Sequence, residues 1–179
     1  MNCNKIKEID NSKEKTFFID IYYDNKESIN YIITGNTTWA TSYNYNKNEI
    51  YHKYNYDSEY DEIHSMKIDN SEQIVKLIVA SGDGYIRIWD FNLGILLKKI
   101  NCNDYLNCIC LWDNEYAFVG CDNKIIKLVN LKTGKIIKDL FGHNNYVLDI
   151  KKINHPKYSE CLISQGYQDD QIKLWVIKN

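Results

Sequence analysis

Short apolar bursts punctuated by turn residues run through this chain. The clearest stretch is residues 77–100, LIVASGDGYIRIWDFNLGILLKKI. Residues 77–80 form an apolar run of the kind that fills a strand buried on both faces, Ser81-Gly82-Asp83-Gly84 is a turn cluster, and residues 85–91 alternate with a largely period-two pattern. The pattern predicts a hairpin. Asp83-Gly84 supplies a positive φ at low steric cost, so two strands can be joined tightly with their right-handed twist. Asn92-Leu93-Gly94 then turns the chain back into another apolar-rich segment, residues 95–100.

The unit recurs. Asp122-Asn123-Lys124, residues 125–131 (IIKLVNL), Lys132-Thr133-Gly134 and residues 135–140 (KIIKDL) repeat turn, strand, turn and strand. Residues 166–177 repeat its first half, and residues 34–45 give a weaker version. Aligning Tyr43, Trp89, Val129 and Trp175 yields a period of roughly 40 to 46 residues, the length of one four-stranded propeller blade. Each unit should open with an inner strand, at residues 18–23, 63–68, 106–111 and 147–152. Their apolar residues fall three and then five positions on, as in Phe18-Ile21-Tyr23 or Leu106-Ile109-Leu111, with Lys152 breaking the last set. That spacing fits a strand with a local irregularity. Second strands follow at 31–34, 77–80, 116–119 and 161–164. Insertions are expected between first and second strands at 24–30, 69–76 and 154–160, where loops absorb length cheaply. Within the Tyr- and Asn-rich stretch 43–60, residues 50–54 read as a fourth strand.

These residues resemble the WD40 repeat family. The resemblance rests on Ile86-Arg87-Ile88-Trp89-Asp90 with Asp83 upstream, on Gly142-His143 before the last unit, and on Ile172-Lys173-Leu174-Trp175 within it. It implies an all-β fold, a WD40-type β-propeller segment of four four-stranded antiparallel blades, with units at about 17–57, 61–103, 104–143 and 144–179. The third unit lacks its Trp, and the first is the weakest. Residues 4–9 (NKIKEI) resemble the start of a fourth strand and are the candidate for closing the blade that residue 179 leaves unfinished; a frayed polar tail is the alternative. Seven-bladed rings need on the order of 300 residues at this period. Four units therefore close tightly, stay an open arc, pair with a second copy, or belong to a longer product.

Composition narrows the partners. The formal net charge is −2, so nothing recommends nucleic acid or an anionic membrane. The polar amino terminus lacks the apolar core of a secretory signal, and no apolar run approaches the roughly 18 to 20 residues of a membrane span. A cytoplasmic location, with nuclear as the alternative, is the expectation. The six cysteines, Cys3, Cys102, Cys108, Cys110, Cys121 and Cys161, then sit in a reducing compartment, and without a CxxC knuckle they read as packing residues, not metal ligands. No cofactor or metal is expected.

The chain contains the residue types of a nucleophilic triad, but their places resemble something else. In the WD40 family a His before the blade, a hydroxyl on the second strand, an Asp in the hairpin turn and a Trp on the third strand form a buried hydrogen-bonded array. His143, Asp169 and Trp175 match those places; Ser164 or its neighbour Gln165 holds the hydroxyl's place. Asp83 and Trp89 keep two members in the second unit, which, like the third, has no matching His and should be less firmly tied. Function must be argued from a site, so the structural reading is preferred and catalytic residues are none. Asn36-Thr37-Thr38 reads as a turn, and Gly82-Asp83-Gly84 lacks the ending and the helix of a phosphate loop.

The position just before each inner strand is held by Phe17, Glu62, Tyr105 and Tyr146. If the units are related by rotation, these four share one height around the channel mouth, with Trp39 and Tyr85 from adjacent hairpin turns. Exposed aromatics beside a carboxylate suit recognition of a peptide; the bland reading is that they cap the ends of the core. As in its relatives, the expected role is a non-catalytic interaction scaffold for a protein or peptide partner, open to self-association or completion by additional blades. The alternative is a regulatory or targeting segment of a larger protein or enzyme.

Overall fold

In the computed structural model, which describes residues 15–56, 62–169 and 171–177, fifteen strands form four antiparallel sheets, with no helix among the described residues. The first blade comprises β1 (Phe18–Asp24), β2 (Ile29–Gly35), β3 (Trp39–Asn44) and β4 (Glu49–Asn55). The second has β5 (Ile63–Asp69), β6 (Lys76–Ser81), β7 (Tyr85–Asp90) and β8 (Leu96–Asn101). The third has β9 (Leu106–Leu111), β10 (Tyr116–Cys121), β11 (Ile125–Asn130) and β12 (Ile136–Phe141). The fourth has β13 (Val147–His155), β14 (Ser159–Gly166) and β15 (Ile172–Val176). Strands pair in chain order within each sheet. The suggested closing strand at residues 4–9 and the end of the Tyr- and Asn-rich stretch, residues 57–60, lie outside the described residues.

Tight turns make the meander possible. Gly84, Gly94 and Gly134 hold φ of 83°, 67° and 77° in the turns after β6, β7 and β11. In the third blade the position of Gly84 is taken by Lys124, at φ 72°, a conformation costly for a residue with a Cβ. Asn36, in the turn before β3, is buried, and its Oδ1 accepts the amides of Thr38 and Trp39 at 3.0 and 2.9 Å. Asn36 is therefore a turn-former.

The inner strands carry the expected irregularity in three blades. Register shifts occur between Ile63 and Ser65, between Gly120 and Cys121, and between Val147 and Asp149. β1 departs from the expectation: it pairs residue by residue from Phe18 to Asp24, so Ile19, Ile21 and Tyr23 share one face while Tyr22 lies on the other. A second difference is at residues 154–160. Instead of a looped insertion, β13 and β14 extend into a long hairpin closed by a short turn at residues 156–158, with Ser159 at φ 60°.

Each sheet has two apolar faces, and three seams join the four blades. Between the first and second blades, Tyr22, Tyr31, Ile33 and Tyr54 pack against Met66, Leu77, Val79, Trp89 and Phe91. Ile78, Ala80, Ile86 and Ile88 turn the other way and meet Ile109, Ala117, Val119 and Val129 of the third blade. Its opposite face, with Cys108, Cys110, Phe118 and Ile126, meets Val147, Ile150, Leu162 and Trp175. Full burial of one such aliphatic side chain is worth about 1.5–3 kcal/mol, so these seams hold the blades side by side. The first seam is aromatic-rich, with Phe91 edge-on to Tyr22 and Tyr31 at 5.2 and 5.1 Å. The Tyr54 hydroxyl there pairs with Ser42 Oγ at 3.1 Å and donates to the Phe91 carbonyl at 3.0 Å.

Candidate interaction site

Antiparallel order puts the starts of the first and third strands of every blade on the same edge of the arc. Phe17, Glu62, Tyr105 and Tyr146 all lie there, immediately before β1, β5, β9 and β13, and Trp39 and Tyr85 open β3 and β7. One backbone bond recurs at three of these places. Gly82 N–H donates to the Glu62 carbonyl at 3.0 Å, Asp122 to Tyr105 at 3.1 Å and Tyr167 to Tyr146 at 2.8 Å. The first blade makes a different bond, Phe17 N–H donating to the Gly35 carbonyl at 2.9 Å, where Gly35 holds the register place of Ala80 and not of Gly82. The three bonds make Glu62, Tyr105 and Tyr146 geometric equivalents.

Two groups form along this rim. Tyr105 packs against Gly82, where a Cβ would come within 2.5 Å of its ring, and its hydroxyl meets His64 Nε2 at 2.6 Å. Glu62 Oε2 is 3.6 Å from the same imidazole nitrogen. Burial holds His64 below its ordinary pKa, while Glu62 and Asp122 partly oppose that shift. The second group is Tyr146 stacked on Tyr167, with centroids 4.6 Å apart and planes at 10°. The other rim aromatics carry lysines of their own chain: Lys53 over Trp39 at 4.9 Å and Lys99 over Tyr85 at 4.3 Å. Phe17 is exposed.

Behind the rim, the fourth blade holds a chain of four polar side chains. Trp175 Nε1–H donates to Ser164 Oγ at 2.7 Å, Ser164 Oγ is 2.6 Å from His143 Nε2, and His143 Nδ1 is 2.6 Å from Asp169 Oδ2. Of the two candidates for the hydroxyl place, Ser164 occupies it, and Gln165 points to the other face of β14. A protonated Nδ1 facing the carboxylate and a bare Nε2 accepting the hydroxyl proton satisfy every partner. The hydrogen bond from His143, helped by Lys173, holds Asp169 below its ordinary pKa. Ser164 is 3% exposed and His143 6%, so this Ser–His–Asp set is sealed from a substrate.

The second blade solves the same problem differently, which the sequence reading missed. Arg87 is 1% exposed; it bonds Asp83 through both ends of its guanidinium and Ser81 Oγ at 2.9 Å. Its carbon centre sits 4.5 Å from the Tyr56 ring. Burial alone would raise the Asp83 pKa, but the bonds from Arg87 and Ser81 outweigh it and the net shift is downward. Trp89, expected to join Asp83, does not: its Nε1 is buried without a hydrogen-bond partner among the described residues, and the ring serves the first seam instead. Arg87 thus stands where a histidine was sought, and the blade is tied after all. A period of two puts Arg87 on the same face as Trp89, but that pattern alone does not tell a buried arginine from a solvated one.

The five described cysteines are free and buried. Burial pushes the Cys102 and Cys108 thiols up to about 12, so they are poor nucleophiles. A cleft of about 220 Å³ between the second and third blades is lined by Ile78, Ile88, Leu97, Lys98 and Asn114 among others. Its cations are already engaged, Lys76 with Glu72 and Lys98 with the carbonyls of Leu131 and Lys132.

Comparison with known proteins agrees with this geometry. Residues 52–90 match the family model described as WD40: WD domain, G-beta repeat. Over 82 residues, 45% of the chain, it is 33% identical to the U3 small nucleolar RNA-associated protein 21 homolog of Schizosaccharomyces pombe, and over 74 residues, 41% of the chain, 26% identical to myosin heavy chain kinase C of Dictyostelium discoideum. Each match spans 9% of that relative's own length. Among solved structures, that of U3-55K covers 94% of this chain and 51% of its own, at 13% identity and a TM-score of 0.77. The WD40 beta propeller domain of Doa1 covers 87% of this chain and 48% of its own, at 19% identity and a TM-score of 0.68.

Proposed function

Because this chain is a WD40-repeat protein, folded as a partial propeller, we propose that it is a non-catalytic scaffold that presents one edge of its blades to a protein or peptide partner. The observation that carries the reading is the repeated backbone bond that sets Glu62, Tyr105 and Tyr146 at equivalent places on one rim. Rigid, amphipathic tyrosines lose little entropy on binding and are favoured anchors. The binding set is Phe17, Glu62, Tyr105 and Tyr146, flanked by Trp39 and Tyr85.

The sealed Ser164–His143–Asp169 chain and the raised thiols favour a role outside catalysis. The relative with U3 small nucleolar RNA in its name favours the nuclear alternative over the cytoplasmic default, whereas the myosin heavy chain kinase relative carries no such link. A second reading, a regulatory or targeting segment of a larger protein or enzyme, is favoured by the 9% share of each of these two relatives that the chain matches.

The test uses peptides selected on the wild-type chain from a random display library. Tyr105→Ala combined with Tyr146→Ala should weaken their affinity at least tenfold, at about 1–2 kcal/mol for an anchor residue. Lys135→Ala, in a turn on the opposite edge, should leave it unchanged. Equal affinity for the wild type and a folded double variant would remove the rim from consideration.

A further inference from the structure

The two ends of the arc each present a seam face with nothing from the described residues upon it. Register shows what these faces are. Pairing places Tyr43 opposite Ile32 as Trp89 lies opposite Leu77, and Ile21 opposite Ile32 as Ile68 lies opposite Leu77. Ile19, Ile21, Ile32 and Tyr43 in the first blade therefore hold the places of Met66, Ile68, Leu77 and Trp89 in the second. At the other end, Ile163 pairs with Leu174 and Gln165 with Ile172, as Ile78 pairs with Ile88 and Ala80 with Ile86. The last blade's outward face thus repeats the second blade's forward face.

Their exposures differ sharply from those of their counterparts. Met66 is 1% exposed and Ile68 half-buried, yet Ile19 and Ile21, which hold their places, are each 68% exposed. Ile86 and Ile88 are 0% and 5% exposed, against 73% and 43% for Ile172 and Leu174. Aliphatic residues fill seam positions at both ends, and the two faces have the complementary senses that meet inside the chain.

We propose that two copies of this chain close into one ring, the last blade of each seating on the first blade of the other. Size favours a second copy as the occupant. The chain spans 51% and 48% of the two solved chains named above, so a ring of their size needs a complement about as large as the arc itself. Symmetry favours it too, because each copy offers one face of each sense, and a twofold axis satisfies both at once. At roughly 100 Å² per side chain, six to eight side chains in each of two seams bury about 1,200–1,600 Å², the range of stable interfaces. The ring does not draw on the rim tyrosines, so its failure and that of the scaffold reading are separable.

Light scattering on the purified chain at tens of micromolar should give twice the 21.2 kDa chain mass. Ile21→Lys and Leu174→Glu each place an unpaired charge in both seams of the ring and should weaken association by about 100-fold or more. Mixed together, the two variants form a ring with one native seam and one containing both charges, and the double mass should return. A wild-type monomer would overturn the proposal and hand the faces to further blades or another protein. Unchanged dimers in both variants, or open-ended polymers, would overturn it as well. Should the variants not fold, the wild-type mass decides alone.

Discussion

Replacing Arg87 with Met isolates the electrostatic device in the second blade, because Met keeps most of the buried apolar stem while removing the charge. The guanidinium is 1% exposed and its partner carboxylate 11%. Removing one member of a buried pair costs about 3–5 kcal/mol, since the other is left desolvated without compensation. Asp83 retains Ser81 Oγ at 2.6 Å and the Tyr85 amide at 3.2 Å, so the lower end, about 3 kcal/mol at neutral pH, is expected. The loss should depend on pH with a definite sign. In the wild type the Asp83 pKa is depressed below 3.8, and its contribution is present above that value and fades only as pH falls through the folded pKa. In Arg87→Met, burial is no longer outweighed, and the folded pKa rises above 3.8. The native state then binds the proton before the unfolded chain does, so the variant regains stability on acidification. Urea denaturation followed by tryptophan fluorescence at pH 7 and near pH 4.5 should show the gap between wild type and variant narrowing. A loss under about 1 kcal/mol, or a gap of constant size across that range, would refute the assignment of Arg87 as the tie of this blade.

Three further outcomes are expected. Ser164→Ala strands the Trp175 indole N–H and one imidazole nitrogen of His143, and should lower stability by about 2–3 kcal/mol in urea titrations, a loss that Ser164→Thr spares in part. Lys124→Gly relieves the left-handed backbone in the third blade's turn; net of the entropy glycine adds to the unfolded chain, it should raise stability by about 0.5–1 kcal/mol in a thermal melt. Because the folded pKa of His64 is below 6.5, the unfolded chain takes up its proton first and stability should fall as pH drops below about 6.5; His64→Gln, compared at pH 8 and pH 5.5, should show a shallower fall, and equal slopes would discount this histidine.

Much of the architecture was written in local chemistry. The Asp83-Gly84 hairpin and the alternation through Trp89 located β6 and β7, and the same period found β10, β11, β14 and β15. Boundaries drifted where strands outran their apolar cores, as in the β13–β14 hairpin, whose outer half is carried by polar residues such as Asn154 and Glu160. The His143 chain was legible because its members sit at family spacing. Arg87 was not, because an arginine in a strand ordinarily faces water, and only the surrounding Asp83, Ser81 and Tyr56 make its burial affordable. His64 was overlooked for a similar reason: its partner Tyr105 lies 41 residues on, in the next blade, and no local pattern announces a bond across a seam.

Packing in this molecule runs between sheets that follow one another in the sequence, from β1 to β5, then β9, then β13. A polypeptide wired this way can fold while it is still being made. The first meander can hydrogen-bond fully once residue 55 has left the ribosome, and each later one finds its docking surface already waiting. Each new blade covers the forward face of the one before it, and the completed part acts as the template for what emerges next.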